Sequence, residues 1–242
     1  MNLDAVVIPD WAEILEIDER RLRILARPPL PSGDLSEAFD LTVRLADEGS
    51  IRVGETAIGS RLPSRCPELH IIKDGDFCLG LERDTFDRPA EAEAFWHRLG
   101  DYLRYQRFAE RHRRWPAGRW LSHGSTAAKA QLEAERIASE NGWSEEYADA
   151  IENNRGWLAG ELPRASRSRP GGIVNGRAPC PRGCHRQDGA AVLRRGCARR
   201  SELEKLVLAE RRRREAELIY IQALQIDGLT CCGRVDGCPL AA

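Results

Sequence analysis

The stretch Phe39-Asp40-Leu41-Thr42-Val43-Arg44-Leu45-Ala46 decides the fold class. Phe39, Leu41, Val43 and Leu45 alternate with Asp40, Thr42, Arg44 and Ala46, and successive side chains of a strand point to opposite faces of its sheet. Such a run buries one face and wets the other, as antiparallel sheets do. Upstream, Leu22, Ile24 and Ala26 alternate in the same way with Arg21 and Arg23, until Pro28, Pro29 and Pro31 remove the N–H groups that a ladder needs. Downstream, Ile51 and Val53 begin another short strand ahead of the Gly-, Pro- and Ser-rich residues 59–67. Residues 11–17, apolar and acidic, are expected to form a short helical piece. The first 70 residues thus predict an antiparallel meander with one buried face.

After residue 88 the period changes. Ala92, Phe95, Trp96, Leu99, Tyr102 and Leu103 form a helical stripe, with Pro89, Glu91 and Glu93 suited to the first turn. That helix should end before Trp115-Pro116-Ala117-Gly118. A second is expected over 125–139, closed by Asn141-Gly142, and a third from Ser144 to near Gly156. Strands followed by helices give an α+β domain over residues 1–160. Residues 161–179, rich in Arg, Ser, Gly and Pro, read as a linker or extended arm. Residues 180–242 form a cysteine-rich region with a long helix over 201–225, opened by a Ser201/Glu204 capping box and ended at Gly228.

The 242 residues are 42% hydrophobic, enough for a real core. No apolar run reaches the roughly 18 residues of a membrane span, and the start (Met1 to Ile8, with Asp4) lacks the basic-then-apolar layout of a signal peptide. A cytoplasmic location with no membrane partner is expected. There, cysteines act more often as reactive thiols or metal ligands than as disulfides. The formal net charge of -1 conceals two regions: residues 1–60 carry 12 acids against 6 bases, and residues 164–214 carry 15 bases against 4 acids.

The segment most suggestive of chemistry is Pro67-Glu68-Leu69-His70-Ile71-Ile72-Lys73-Asp74-Gly75-Asp76-Phe77-Cys78-Leu79-Gly80. Asp74-Gly75 is a tight-turn signal that sets Cys78 just past a turn and can fold His70, eight residues upstream, back toward the thiol. A nucleophilic cysteine needs partial exposure and a polarising neighbour, and a nearby donor can stabilise the oxyanion formed when its thioester is attacked. Taken alone, a cysteine between apolar neighbours is more often a core residue.

This segment resembles the active-site stretch of the ubiquitin-conjugating enzyme family, in which a His-Pro-Asn element precedes a Gly-containing turn, an apolar residue, the thioester cysteine and leucine. Gly75, Phe77, Cys78 and Leu79 match that pattern, and the meander, the proline-rich approach and the following helices match its order. The resemblance covers about residues 1–160 and is specific over about a dozen. It implies Cys78 and His70 as catalytic residues of a conjugating transferase. Glu68-Leu69-His70 stands in place of the usual triplet, so the asparagine is absent. Counting back without gaps puts His70 at the asparagine's place; a turn two residues shorter would match it to the motif's histidine. Together with the cysteine-rich tail, the segment resembles bacterial ubiquitin-conjugating-like proteins. Those are encoded near an adenylating activating enzyme, a ubiquitin-like protein and a metalloprotease of the deubiquitinase type, in gene sets that look like anti-phage defence. The resemblance therefore implies a ubiquitin-like protein and an activating enzyme as partners, with the target unnamed.

In the tail, Cys180-Pro181-Arg182-Gly183-Cys184-His185 places two thiols four apart on a turn, Cys197 follows, and Cys231-Cys232 and Cys238 lie beyond the long helix. Six cysteines and His185 fall one short of the eight donors that two tetrahedral sites require. One structural Zn2+ is expected, held by Cys180, Cys184 and Cys197 with one of Cys231, Cys232 or Cys238, the helix acting as a strut between the clusters. Cys66 reads as a structural bystander. In the stretch from Trp115 to Gly124, packing of Trp115 and Trp120 is favoured over a role for Ser122 or His123 beside Cys78. Two other functions remain open: an inert zinc-binding scaffold of the same pathway, and a nucleic-acid binder using Arg194, Arg195, Arg199, Arg200 and Arg211 to Arg214. The near-neutral total charge argues against the second.

Overall fold

The computed structural model describes residues 7–30, 33–81, 85–86, 88–119 and 121–241. The N-terminal residues with Asp4, and also Pro31 and Trp120, lie outside them. The chain divides into two compact units, Met1–Pro116 with Leu229–Ala242, and Ala117–Gly228.

The first unit holds a four-stranded antiparallel sheet in the order β1 (Ala12–Ile17), β2 (Arg21–Ala26), β3 (Phe39–Leu45) and β4 (Ile51–Glu55). The alternation in β3 is realised: Phe39, Leu41 and Val43 are buried while Asp40, Thr42 and Arg44 are not. Residues 11–17 were expected to be helical; instead they form the edge strand β1. Ala12 pairs with Ala26 and Ile17 with Leu22, and ladder hydrogen bonds to β2 outweigh the weak local helix signal. One helix, α1 (Pro89–His112), supplies Ala92, Phe95, Trp96, Leu99, Tyr102 and Leu103 to the core shared with the strands, all six of its predicted stripe. The C-terminal segment also belongs to this unit. Val235 is buried in its core, Asp236 donates its N–H to the Arg113 carbonyl (2.8 Å), and Arg113 Nε pairs with the Asp236 carboxylate at 2.7 Å.

The second unit is built on α2 (Ser125–Glu140), α3 (Ser144–Asn153) and α4 (Arg200–Ile226). Ala134 and Ala138 of α2 are fully buried, and their small side chains let α2 lie close against Leu203, Leu206 and Val207 of α4. Here the structure departs from the predicted boundary at residue 160: α2 and α3 bury their apolar faces with α4 and not with the sheet. Residues 161–179 are not a free linker either. Leu162 and Ile173 are buried in this core, and Ala165 bridges Ile173. The Ser201/Glu204 capping box is absent. Arg199 takes the N-cap position without a side-chain bond, and Glu204 instead accepts from Arg200 Nε (2.9 Å) and pairs with Arg169.

The basic run of α4 is engaged within this unit. Glu210 accepts from Arg213 Nε and Arg214 Nε, each at 2.7 Å, Arg212 pairs with Glu133, and Arg211 donates to the Leu162 carbonyl. These bonds hold the four guanidinium groups within the second unit. Among the described residues no helix is long and apolar enough to cross a membrane.

Candidate active site

The segment around Cys78 folds as the sequence predicts. Cys66 and Ile71 exchange backbone hydrogen bonds, each 2.9 Å, closing a short loop over Pro67–Leu69. Asp74 (φ 64) and Gly75 (φ 77) then turn the chain, Ile71 bridges Phe77, and Cys78 donates its N–H to the His70 carbonyl at 2.8 Å. The backbones of His70 and Cys78 are therefore paired across a hairpin.

The sheet holds this hairpin from one side. Phe77 donates its N–H to the Val53 carbonyl (2.8 Å), and the buried Asp76 carboxylate meets Arg44 at 2.5 Å and Arg52 at 3.5 Å. Burial nonetheless pushes the Asp76 carboxyl up, the two arginines offsetting part of the shift. Glycine is required at the crossing: a Cβ on Gly54 would stand 2.6 Å from the Gly75 carbonyl oxygen.

From the other side, α1 pins the loop through two polar residues in its apolar stripe. The Tyr102 hydroxyl donates at 3.0 Å to the Leu69 carbonyl, with the His70 carbonyl at 3.3 Å. Gln106 Nε2 donates to the Leu69 carbonyl (2.7 Å) and to the Tyr102 oxygen (2.6 Å). Sequence reading counted Tyr102 as apolar and passed over Gln106; a glutamine at a core-facing helical position was the available signal. Trp115 packs on His70 with ring centroids 4.9 Å apart and also against Tyr102, as its packing reading expects. Tyr102→Phe is expected to cost about 1 kcal/mol in denaturant unfolding, because it removes the hydroxyl's bonds while the Leu69 carbonyl keeps Gln106 and the His70 carbonyl keeps the Cys78 N–H. It should also slow any reaction at Cys78, whose N–H hangs on the loop so held.

Cys78 is half-buried. Burial pushes its thiol above the ordinary value of 9.0, and the Gly80 backbone offsets part of that. Ser122 and His123 lie in the second unit, taken up there: the Ser122 hydroxyl accepts from Arg213 (2.8 Å), and the His123 ring stacks on Tyr220.

The tail cysteines are divided between the units. Cys180, Cys184 and Cys197 belong to the second, and Cys231, Cys232 and Cys238 to the first. Cys180 and Cys184 sit on a turn closed by the Gly183 N–H on the Cys180 carbonyl, with sulfurs 3.8 Å apart. Two thiolates on one tetrahedral zinc stand about 3.8 Å apart, given Zn–S near 2.3 Å. Cys197 lies within electrostatic reach of Cys184, so the donor set suits a soft cation. Among the described residues, however, no three His, Cys, Asp or Glu side chains already converge as a metal cage. His185 is exposed. Cys66 is no bystander: its buried sulfur lies 2.9 Å from that of Cys232.

Comparison with protein families agrees with this architecture. Residues 13–117 match the family model of the prokaryotic E2 domain, and residues 122–240 that of the cysteine-rich domain C-terminal to the E2 domain. The chain thus carries a prokaryotic E2 domain followed by the cysteine-rich domain that lies C-terminal to it. No curated protein and no solved structure matches it.

Proposed function

We propose that the chain is an acyl carrier of the ubiquitin-conjugating type, with Cys78 as its thioester residue. The observation that carries this reading is the pinned hairpin, which sets Cys78 opposite His70 within an E2 domain. An activating enzyme holding a ubiquitin-like protein as a thioester would pass the acyl group to the Cys78 sulfur. The new S–C bond forms as the old one breaks, and the Cys78 proton goes to the departing thiolate. In the second half-reaction an acceptor amine or hydroxyl attacks the carbonyl, Cys78 leaves as thiolate, and the acceptor's proton is taken up by it or by solvent. His70 stands in for the missing asparagine, its imidazole donating to the oxyanion or relaying that proton.

The resemblance supports a bacterial, cytoplasmic pathway with a ubiquitin-like protein and an adenylating activating enzyme as partners, used, by analogy with similar gene sets, in anti-phage defence. Cys180, Cys184 and Cys197 would hold a structural Zn2+, outside the chemistry. One observation favours a second reading, an inert scaffold: burial raises the Cys78 thiol rather than activating it.

The test mixes the chain with activating enzyme, ubiquitin-like protein and ATP. The carrier reading expects a covalent adduct in the wild type and its complete loss in Cys78→Ala. An adduct of equal yield in the variant sinks it. The scaffold reading expects no adduct at Cys78 in the wild type under the same conditions.

A further inference from the structure

Cys66 lies within the E2 match, whereas Cys231, Cys232 and Cys238 come from the far end of the cysteine-rich match. All four nevertheless belong to the first unit. Cys66 and Cys232 bring their sulfurs to 2.9 Å, shorter than two unlinked thiols prefer and far longer than the roughly 2.05 Å of a disulfide. Cys238 is buried, and the Cys231 N–H donates to the Leu240 carbonyl (3.2 Å), which returns the Cys238 segment to the side of Cys231, although among the described residues the side chains do not yet converge as a cage.

At Cys231 the backbone suits a thiolate. Gly233 donates its N–H to Cys231 Sγ at 3.3 Å, just where the chain turns with Gly233 at φ 71. Cys231 thus has a backbone donor two residues onward. The Leu69 N–H, by contrast, is taken by the Cys66 carbonyl at 3.1 Å. A donor like that of Gly233 stabilises a charged thiolate ligand and orients it, whereas a disulfide sulfur carries no charge to be stabilised.

We propose that Cys66, Cys231, Cys232 and Cys238 form a second thiolate site, for a tetrahedral soft cation such as Zn2+, that fastens the C-terminal segment to the E2 domain. Cys66 and Cys232 already stand as a pair, and Cys231 and Cys238 would close on the ion when it binds. Sulfur-only donors select zinc or an iron–sulfur centre over magnesium or calcium. Cys66 also exchanges both backbone bonds with Ile71, at the foot of the hairpin that carries His70 and Cys78. The ion would therefore brace that hairpin from its base. The site does not depend on the activity assigned to Cys78.

The test uses the full chain loaded with Zn2+, alkylated under native conditions with and without a strong chelator, and mapped by peptide mass. Zinc should protect Cys231 and Cys232, and its removal should raise their labelling at least tenfold. Cys66→Ser should lose about one zinc equivalent per chain and leave Cys232 labelled even with zinc present. Cys180→Ser should leave Cys231 and Cys232 protected, which separates this site from the one at Cys180, Cys184 and Cys197. The wild-type chelator comparison stands even where a variant fails to fold. Three results would each overturn the proposal: labelling of Cys231 and Cys232 indifferent to chelator, zinc content unchanged by Cys66→Ser, or a Cys66–Cys232 disulfide in the unreduced protein.

Discussion

Glu210→Ala is expected to cost the second unit about 3–5 kcal/mol, the penalty of breaking a buried ion pair from one side. Glu210 is 1% exposed and accepts from four donors: Arg213 Nε (2.7 Å) and NH2 (2.8 Å), Arg214 Nε (2.7 Å) and the Tyr147 hydroxyl (3.1 Å). Burial alone would lower the pKa of Arg213, yet its bonds to Glu210 outweigh that and raise it, so the guanidinium stays charged. Without Glu210 it keeps only Glu217 and Ser122, and the Tyr147 hydroxyl loses its acceptor. Glu133→Ala is the control. It removes the exposed partner of Arg212 and should cost no more than about 1 kcal/mol. Urea midpoints at constant slope measure both. A Glu210→Ala loss no larger than the control's would mean that the network contributes little.

The reactivity of Cys78 is expected to climb steeply with pH. The thiolate is the nucleophile, and burial raises the thiol above 9.0. Below that raised pKa the proton stays on sulfur, and each unit of pH increases the thiolate fraction about tenfold. The rate of haloacetamide labelling at Cys78 should therefore rise roughly tenfold per unit between about pH 6.5 and 8.5, with no plateau. A plateau below pH 8 would indicate a thiolate already stabilised in the resting protein. On the expected profile, deprotonation takes place in the encounter with a partner, and a lone E2 domain is protected from adventitious alkylation.

The fold was legible where a periodic pattern was backed by burial. Phe39 to Leu45 read as a strand, and the six-residue stripe of α1 as a core face, because each had a single partner surface to bury against. Residues 11–17 were misread because an edge strand has only one neighbour; β1 leaves Ile14, Leu15 and Ile17 substantially exposed and so shows no clean alternation. The domain boundary was misplaced for a related reason. The apolar faces of α2 and α3 are visible in the sequence, but whether they pack on the sheet or on a helix sixty residues later is a long-range choice that local pattern does not encode. The same holds for residues 161–179, whose polar composition hides the anchors Leu162 and Ile173.

At the site, the turn at Asp74-Gly75 and the backbone pairing of residues 70 and 78 followed from spacing and turn chemistry. The support from Tyr102 and Gln106 did not, since it depends on where α1 crosses the loop. The juxtaposition of Cys66 with Cys232, 166 residues apart, could not be read from any spacing rule.

The central claim, that Cys78 carries the acyl group, is tested most directly by intact-mass analysis of the wild-type chain after incubation with activating enzyme, ubiquitin-like protein and ATP. The expected result is a species heavier by the modifier less one water, mapped to the Cys78 peptide and released by thiol reductant. A reductant-stable adduct, or one mapped to any other cysteine, would contradict it.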